Sequence, residues 1–193
     1  MSQAYLEPND VLKILRIARE SSTRDWCMFL LTFRHALRSQ EARELKVSAI
    51  DMEKQQIEIT RVKGSLGGTQ TLDRHKGEPL LDEIAALRAW LKDRVEDGSQ
   101  ILFLSQKGGS MTRMQFLRLF KRYARAAGIS TNLDHPHALR HALCSTMAAE
   151  HADVYSIQRR AGHKNISNTM LYTHVTDAAA SKSCQAALMT AFS

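Results

Sequence analysis

The chain has 193 residues and an apolar fraction of 44%, enough to fill the core of one ordinary domain and too much for a disordered chain. Lys and Arg number 27 against 20 Asp and Glu, a formal charge of +7 that marks polyanions as candidate partners. The longest apolar run, Trp26 to Phe33, is far short of the roughly 20 residues of a membrane span, the N-terminus lacks the pattern of a signal peptide, and Cys27, Cys144 and Cys184 form neither a disulfide framework nor a thiolate zinc motif; the expected location is the cytoplasm, with no membrane partner.

In chain order, Pro8-Asn9-Asp10 is a helix start, followed by Val11, Leu12, Ile14, Leu15 and Ala18 at helical spacing. Asp25 to Leu37 reads as a nearly all-apolar helix central to the core, and Ser39 to Leu45 as a short third helix. The period then changes to two at Gln56 to Thr60, and Gly64 to Gly68 turns into a second strand around Thr69 to Leu72. A helix is predicted from Asp82 to Val95 and a short buried strand from Ile101 to Leu104. The remainder predicts helices over Thr112–Ala127, Pro136–Glu150, Val154–Ala161, Ser167–Tyr172 and Asp177–Phe192. No linker divides the chain, so residues 1–193 are expected to form a single domain, mostly α with a small antiparallel β-sheet.

Charge is unevenly placed. Gly98 to Leu133 contains no acidic residue but carries Lys107, Arg113, Arg118, Lys121, Arg122 and Arg125. On the helix from Thr112, the apolar Phe116, Leu117, Phe120, Tyr123 and Ala124 gather on one side and the cations on the other. A solvated face normally mixes signs, so this one is a candidate nucleic-acid contact.

Five fragments carry candidate chemistry. Arg38 and Glu41, three apart at a helix start, would hold a guanidinium fork in a geometry suited to phosphate, though such pairs are also routine on surfaces. Lys63 follows Arg61 at a hairpin tip, where lysines are commonly just solvated. His137, Arg140 and His141 share one helix face behind Pro136. Gly162-His163-Lys164 and Tyr172-Thr173-His174 come next. A zinc site of His135, His137 and His141 is disfavoured, because there is no HExxH glutamate and Arg140 would set a cation against the metal. A serine hydrolase is disfavoured by the absence of a GxSxG elbow.

Taken together, Leu37-Arg38-Ser39-Gln40-Glu41, Lys63, His137 to Arg140, Gly162-His163 and Tyr172-Thr173-His174 resemble, in order and spacing, the catalytic domain of the tyrosine recombinases, the phage-integrase-type site-specific recombinases. The resemblance runs over roughly Leu6 to Phe192. It implies Tyr172 as the nucleophile that forms a 3′-phosphotyrosine bond with DNA, Arg38, Arg140 and His163 as donors to the phosphate oxygens, Lys63 as the acid for the leaving 5′-oxygen, His137 as an aid to proton transfer and Glu41 as a supporting acid. Neither metal nor nucleotide cofactor is implied. The expected partner is double-stranded DNA, with Arg61, Lys107, Arg113, Arg118, Lys121, Arg122, Arg125, His141, Arg159 and Lys164 as candidate contacts. Assembly as a homotetramer on DNA, a C-terminal helix over 177–193 exchanged between protomers, and an accessory DNA-bending protein are implied in the same way.

The chain departs from the family pattern in three places. At 193 residues it is expected to lack the N-terminal core-binding domain that closes a clamp on DNA, and in size it resembles the short fimbrial-switch invertases. The hairpin from Lys63 to Leu80 is longer than usual, which makes Lys76 a rival for the lysine role. Ala161 stands where leucine is more common before Gly-His. Two other activities fit the same motifs: relaxation of DNA in the manner of type IB topoisomerases, and a catalytically silent DNA-binding regulator that keeps the fold.

Overall fold

A computed structural model of the protein describes residues 5–62, 64–96 and 98–172, together with Gln185 and Met189. Helix α1 (Pro8–Ser21) opens on a capping box between Glu7 and Asp10 with Pro8 in its first turn. Helix α2 (Thr23–Arg34) starts where the Ser22 hydroxyl accepts from the Asp25 N–H, and every residue from Asp25 to Phe33 is buried. A helix apolar all round is the natural centre of a domain, and α1, α4 (Glu83–Asp93) and α6 (His137–Ala149) pack around it. Its one buried acid, Asp25, is answered by Arg24 at 2.7 Å and by the Tyr123 hydroxyl at 2.8 Å.

A short α3 (Ser39–Arg43) leads to a three-stranded antiparallel sheet of β1 (Ile50–Asp51), β2 (Gln56–Ile59) and β3 (Gly68–Thr71) in the order β1-β2-β3. Ile57 pairs with Ile50 on one side and Gln70 on the other, and Ile57 and Ile59 point into the core. Helices α5 (Arg113–Ala126), α7 (Val154–Ala161) and α8 (Ser167–Met170) complete the described residues. Thr112 and Gln115 close a capping box at the start of α5, whose Phe116, Phe120 and Tyr123 meet the ring of Phe29 on α2.

The expected class, mostly α with a small antiparallel sheet, is the one observed. Two local expectations change. Ile101 to Leu104 is not a strand: Leu102 and Phe103 are buried as expected, but the segment makes only isolated bridges, Lys46 to Ile101 and Leu104 to Ser110, beside a 3-10 turn that offers no ladder to extend. Helix α2 stops at Arg34, short of the expected Leu37, because Ala36 turns into the left-handed region at φ 47. Of the expected helix 177–192 only Gln185 and Met189, both helical, are among the described residues.

Candidate active site

The end of α2 leaves carbonyls that no later helical N–H can reach, and three arginines from distant elements reach them. Arg160 Nε donates to the Arg34 carbonyl at 2.8 Å, and Arg61 to the His35 carbonyl at 2.8 Å. The Ala36 carbonyl accepts from both Arg61 at 3.1 Å and Arg140 at 2.5 Å. A second arm of Arg61 reaches the Arg160 carbonyl at 2.7 Å, which ties the end of α7 to the same point. The negative end of the α2 dipole adds to the attraction.

Glu41 caps the start of α3 by accepting twice from Arg38. The Arg38 N–H donates to Glu41 at 2.8 Å and its guanidinium at 2.9 Å. Glu41 also takes the Arg61 guanidinium at 2.8 Å and the Val62 N–H at 3.2 Å. Burial alone would raise this carboxyl, but the Arg38 N–H and the two guanidiniums outweigh it and hold it below the ordinary carboxylate range. One carboxylate thus faces the guanidiniums of Arg38, Arg61 and Arg140, and the neighbourhood stays positive.

On α6, His137, Arg140 and His141 share a face as their spacing requires. Arg140 is only 2% exposed, and among the described residues its guanidinium makes one hydrogen bond, to Ala36. Burial, then Arg38 and Arg61, lower it to about 10, so it remains a cation at neutral pH. His137 sits at the helix start with its ring edge-on to His141, centroids 4.4 Å apart. Lost hydration on its packed side, then His141 and Arg140, push it down to about 4.

Gly162 ends α7 at φ 69, and a Cβ there would lie 2.7 Å from the Leu66 carbonyl oxygen and 2.8 Å from Arg61 Nε. Only glycine fits that conformation and that contact. The turn delivers His163, whose Nδ1 lies 2.8 Å from Thr169 Oγ1, and burial followed by Arg140 and Arg38 pushes its pKa down to about 4. Tyr172 then stacks on His163, ring centroids 6.4 Å apart and planes within 6°. Its hydroxyl is hydrogen-bonded to His141 Nδ1. Burial pushes Tyr172 up to about 12, with Arg140 opposing. At rest it is a protonated phenol within the field of a cationic cluster.

A model of the phage integrase family matches residues 4–179. The chain belongs to the phage integrase family. It is 33% identical over 175 residues to Type 1 fimbriae regulatory protein FimB of Escherichia coli (strain K12), across 88% of this chain and 83% of FimB. It is 30% identical over 174 residues to tyrosine recombinase XerA of Pyrococcus furiosus, across 89% of this chain but 57% of XerA. Two solved structures share its fold at 22% identity. A crystal structure of XerA recombinase gives a TM-score of 0.76 over 93% of this chain and 62% of the other. XerH site-specific recombinase bound to difH substrate gives 0.75 over 94% and 54%. The fold of this family member is that of the tyrosine recombinase catalytic domain.

Arg38, Glu41, Arg140, His163 and Tyr172 converge from α3, α6 and the segment after α7, with His137 beside His141. Lys63 lies outside the described residues, and Lys76 is exposed. One expected DNA contact is corrected: the side chain of Arg61 is wholly buried, its two terminal nitrogens bonded to Glu41 and three carbonyls. His141 faces Tyr172 instead of standing among the exposed cations. The acid-free face of α5 is partly answered from elsewhere, with Lys121 3.2 Å and Arg125 3.7 Å from Asp134, and Arg122 3.5 Å from Asp25. Lys107, Arg113, Arg118, Arg159 and Lys164 are exposed. Sequence reasoning missed Thr169 and the α2 carbonyls. Neither leaves a local signal, since both matter only through partners brought by the fold.

Proposed function

We propose that this member of the phage integrase family is a site-specific recombinase that cuts and rejoins duplex DNA through a 3′-phosphotyrosine bond to Tyr172. The observation that carries the reading is the buried Arg140 and the half-buried Arg38, gathered with His163 beside Tyr172. In the proposed reaction Tyr172 Oη attacks the scissile phosphorus and the bond to the 5′-oxygen breaks. Arg38 and Arg140 hold the non-bridging oxygens, where negative charge builds, and His163 adds a third donor. Lys63 protonates the departing oxygen, and Glu41 keeps Arg38 in place. Because the phosphotyrosine conserves the energy of the phosphodiester, attack by a 5′-hydroxyl reverses the step without a nucleotide cofactor. Two fixed guanidiniums take the role that metal ions take in many phosphoryl transfers.

The exposed Lys107, Arg113, Arg118, Arg159 and Lys164 are proposed to follow the DNA backbone, with binding that weakens steeply as salt rises. Inversion is among the possible outcomes, as the resemblance to the short fimbrial-switch invertases implies. Assembly as a tetramer on DNA, exchange of the 177–193 segment between protomers and help from a DNA-bending protein belong to the same proposal, as does a place with the nucleoid in the cytoplasm.

The test is covalent capture. Wild type and Tyr172→Phe are incubated with fragmented genomic DNA in the presence of EDTA, and SDS-resistant adducts are recovered and sequenced. Adducts from wild type alone, at one family of sequences, are expected. Adducts scattered over unrelated sequences would favour a relaxing activity of the topoisomerase kind. Binding without adducts would favour a silent regulator.

A further inference from the structure

The structure gives the tyrosine a partner that the expected roles do not include. A phenol of pKa about 10 is a weak nucleophile at neutral pH and needs a group to take its proton. Here burial makes the need greater, with Tyr172 pushed up to about 12. Three histidines surround it. His163 presents its ring face to the Tyr172 ring, and its Nδ1 is engaged with Thr169. His137 lies against His141, and no hydrogen bond joins it to Tyr172 among the described residues. Among the described residues only His141 puts a ring nitrogen, Nδ1, on Tyr172 Oη. His141 follows Arg140 directly on α6, so the residue that holds the phosphate and the residue that holds the nucleophile share one rigid helix.

We propose that His141 is the proton acceptor for Tyr172 in strand cleavage. The proposal rests on the recombinase reading above. As Oη bonds to phosphorus, the phenolic proton passes to Nδ1 and His141 becomes an imidazolium. The bond from phosphorus to the 5′-oxygen breaks, and that oxygen takes its proton from the separate acid assigned to Lys63. On rejoining, the imidazolium returns its proton to Tyr172 as the 5′-hydroxyl attacks. Acceptance at Nδ1 requires the tautomer with its proton on Nε2. Burial, then Arg140 and His135, lower the His141 pKa, so the ring starts neutral at physiological pH. The role of aiding proton transfer then belongs to His141, with His137 packed behind it.

Two measurements test this. The first needs no DNA: in full-length protein labelled with 13C at tyrosine Cζ, the Tyr172 resonance is assigned with Tyr172→Phe and followed against pH in wild type and His141→Gln. His135, His137, His163 and Arg140 also face this cluster, so the component that disappears in His141→Gln is the one that reports the pair. Loss of an inflection below pH 6.5 is expected, and an unchanged titration would overturn the pairing. The second uses a duplex of the captured sequence whose scissile 5′-bridging oxygen is sulfur, a leaving group that needs no acid. His141→Gln should form adduct about 10²-fold more slowly than wild type on both the oxygen and the sulfur substrate. Lys63→Ala should be slow on oxygen and recover on sulfur. A wild-type rate in His141→Gln, or a loss that sulfur repairs, would overturn the proposal. If wild type captures no DNA, the recombinase reading fails and the tyrosine titration still decides whether the pair exists.

Discussion

On α5, Lys121, Arg122 and Arg125 stand at the surface and reach Asp25 and Asp134. Behind the end of α2, Arg61, Arg140 and Arg160 reach main-chain carbonyls, and of these three only Arg61 is also paired with a carboxylate, Glu41, among the described residues. A carboxylate satisfies a guanidinium and cancels its charge. A carbonyl satisfies it and leaves the charge standing. The first arrangement suits a protein that must remain soluble and meet DNA loosely. The second stores positive charge where water cannot screen it, which is what a developing phosphorane needs.

The comparison is tested hardest at Arg140. Arg140→Ala should slow adduct formation about 10³-fold while DNA affinity, read by anisotropy, stays within a few fold; equal loss of both would make Arg140 an ordinary binding cation. Arg61→Ala removes the partner of Glu41 and of three carbonyls. It should cost about 3–5 kcal/mol of stability in denaturant unfolding, whereas removing Arg122 should change the midpoint little, because Arg122 is exposed and the buried Asp25 keeps Arg24 and the Tyr123 hydroxyl as partners. A smaller effect concerns pH. His163 is held near 4 against an ordinary 6.5, so between those values the unfolded chain takes up a proton that the folded chain refuses, and stability falls as pH drops through that window. His163→Asn should flatten that part of the stability curve. Smallest of all, Arg113→Ala or Arg118→Ala should each weaken DNA binding a few fold and lower the salt slope by about one, with adduct formation at saturating DNA unchanged.

What could be read from the sequence is what depends on neighbours in the chain. The all-apolar run of α2 announced the central helix, the spacing of His137, Arg140 and His141 gave their shared face, and the Arg38–Glu41 interval was the cap of α3. What stayed hidden depends on residues far apart. Arg61 looked like a basic hairpin residue because nothing nearby tells that the α2 carbonyls wait for it 25 residues upstream. The stretch from Gly98 to Leu133 looked free of acid because Asp25 lies on another helix and Asp134 is buried just beyond it. His141 was on the right face, but its partner arrives 31 residues later.

The anchoring of Arg61, Arg140 and Arg160 on the carbonyls of residues 34–36 has a consequence for how such a site is inherited. A side-chain anchor is lost by a single codon change, but every amino acid carries a carbonyl. Substitutions at positions 34 and 35 that keep the backbone path leave the three arginines seated, and at position 36 the demand is for a left-handed turn more than for a particular side chain. The platform is written in chain geometry, so the sequence around it is free to drift while the positive pocket stays where it is.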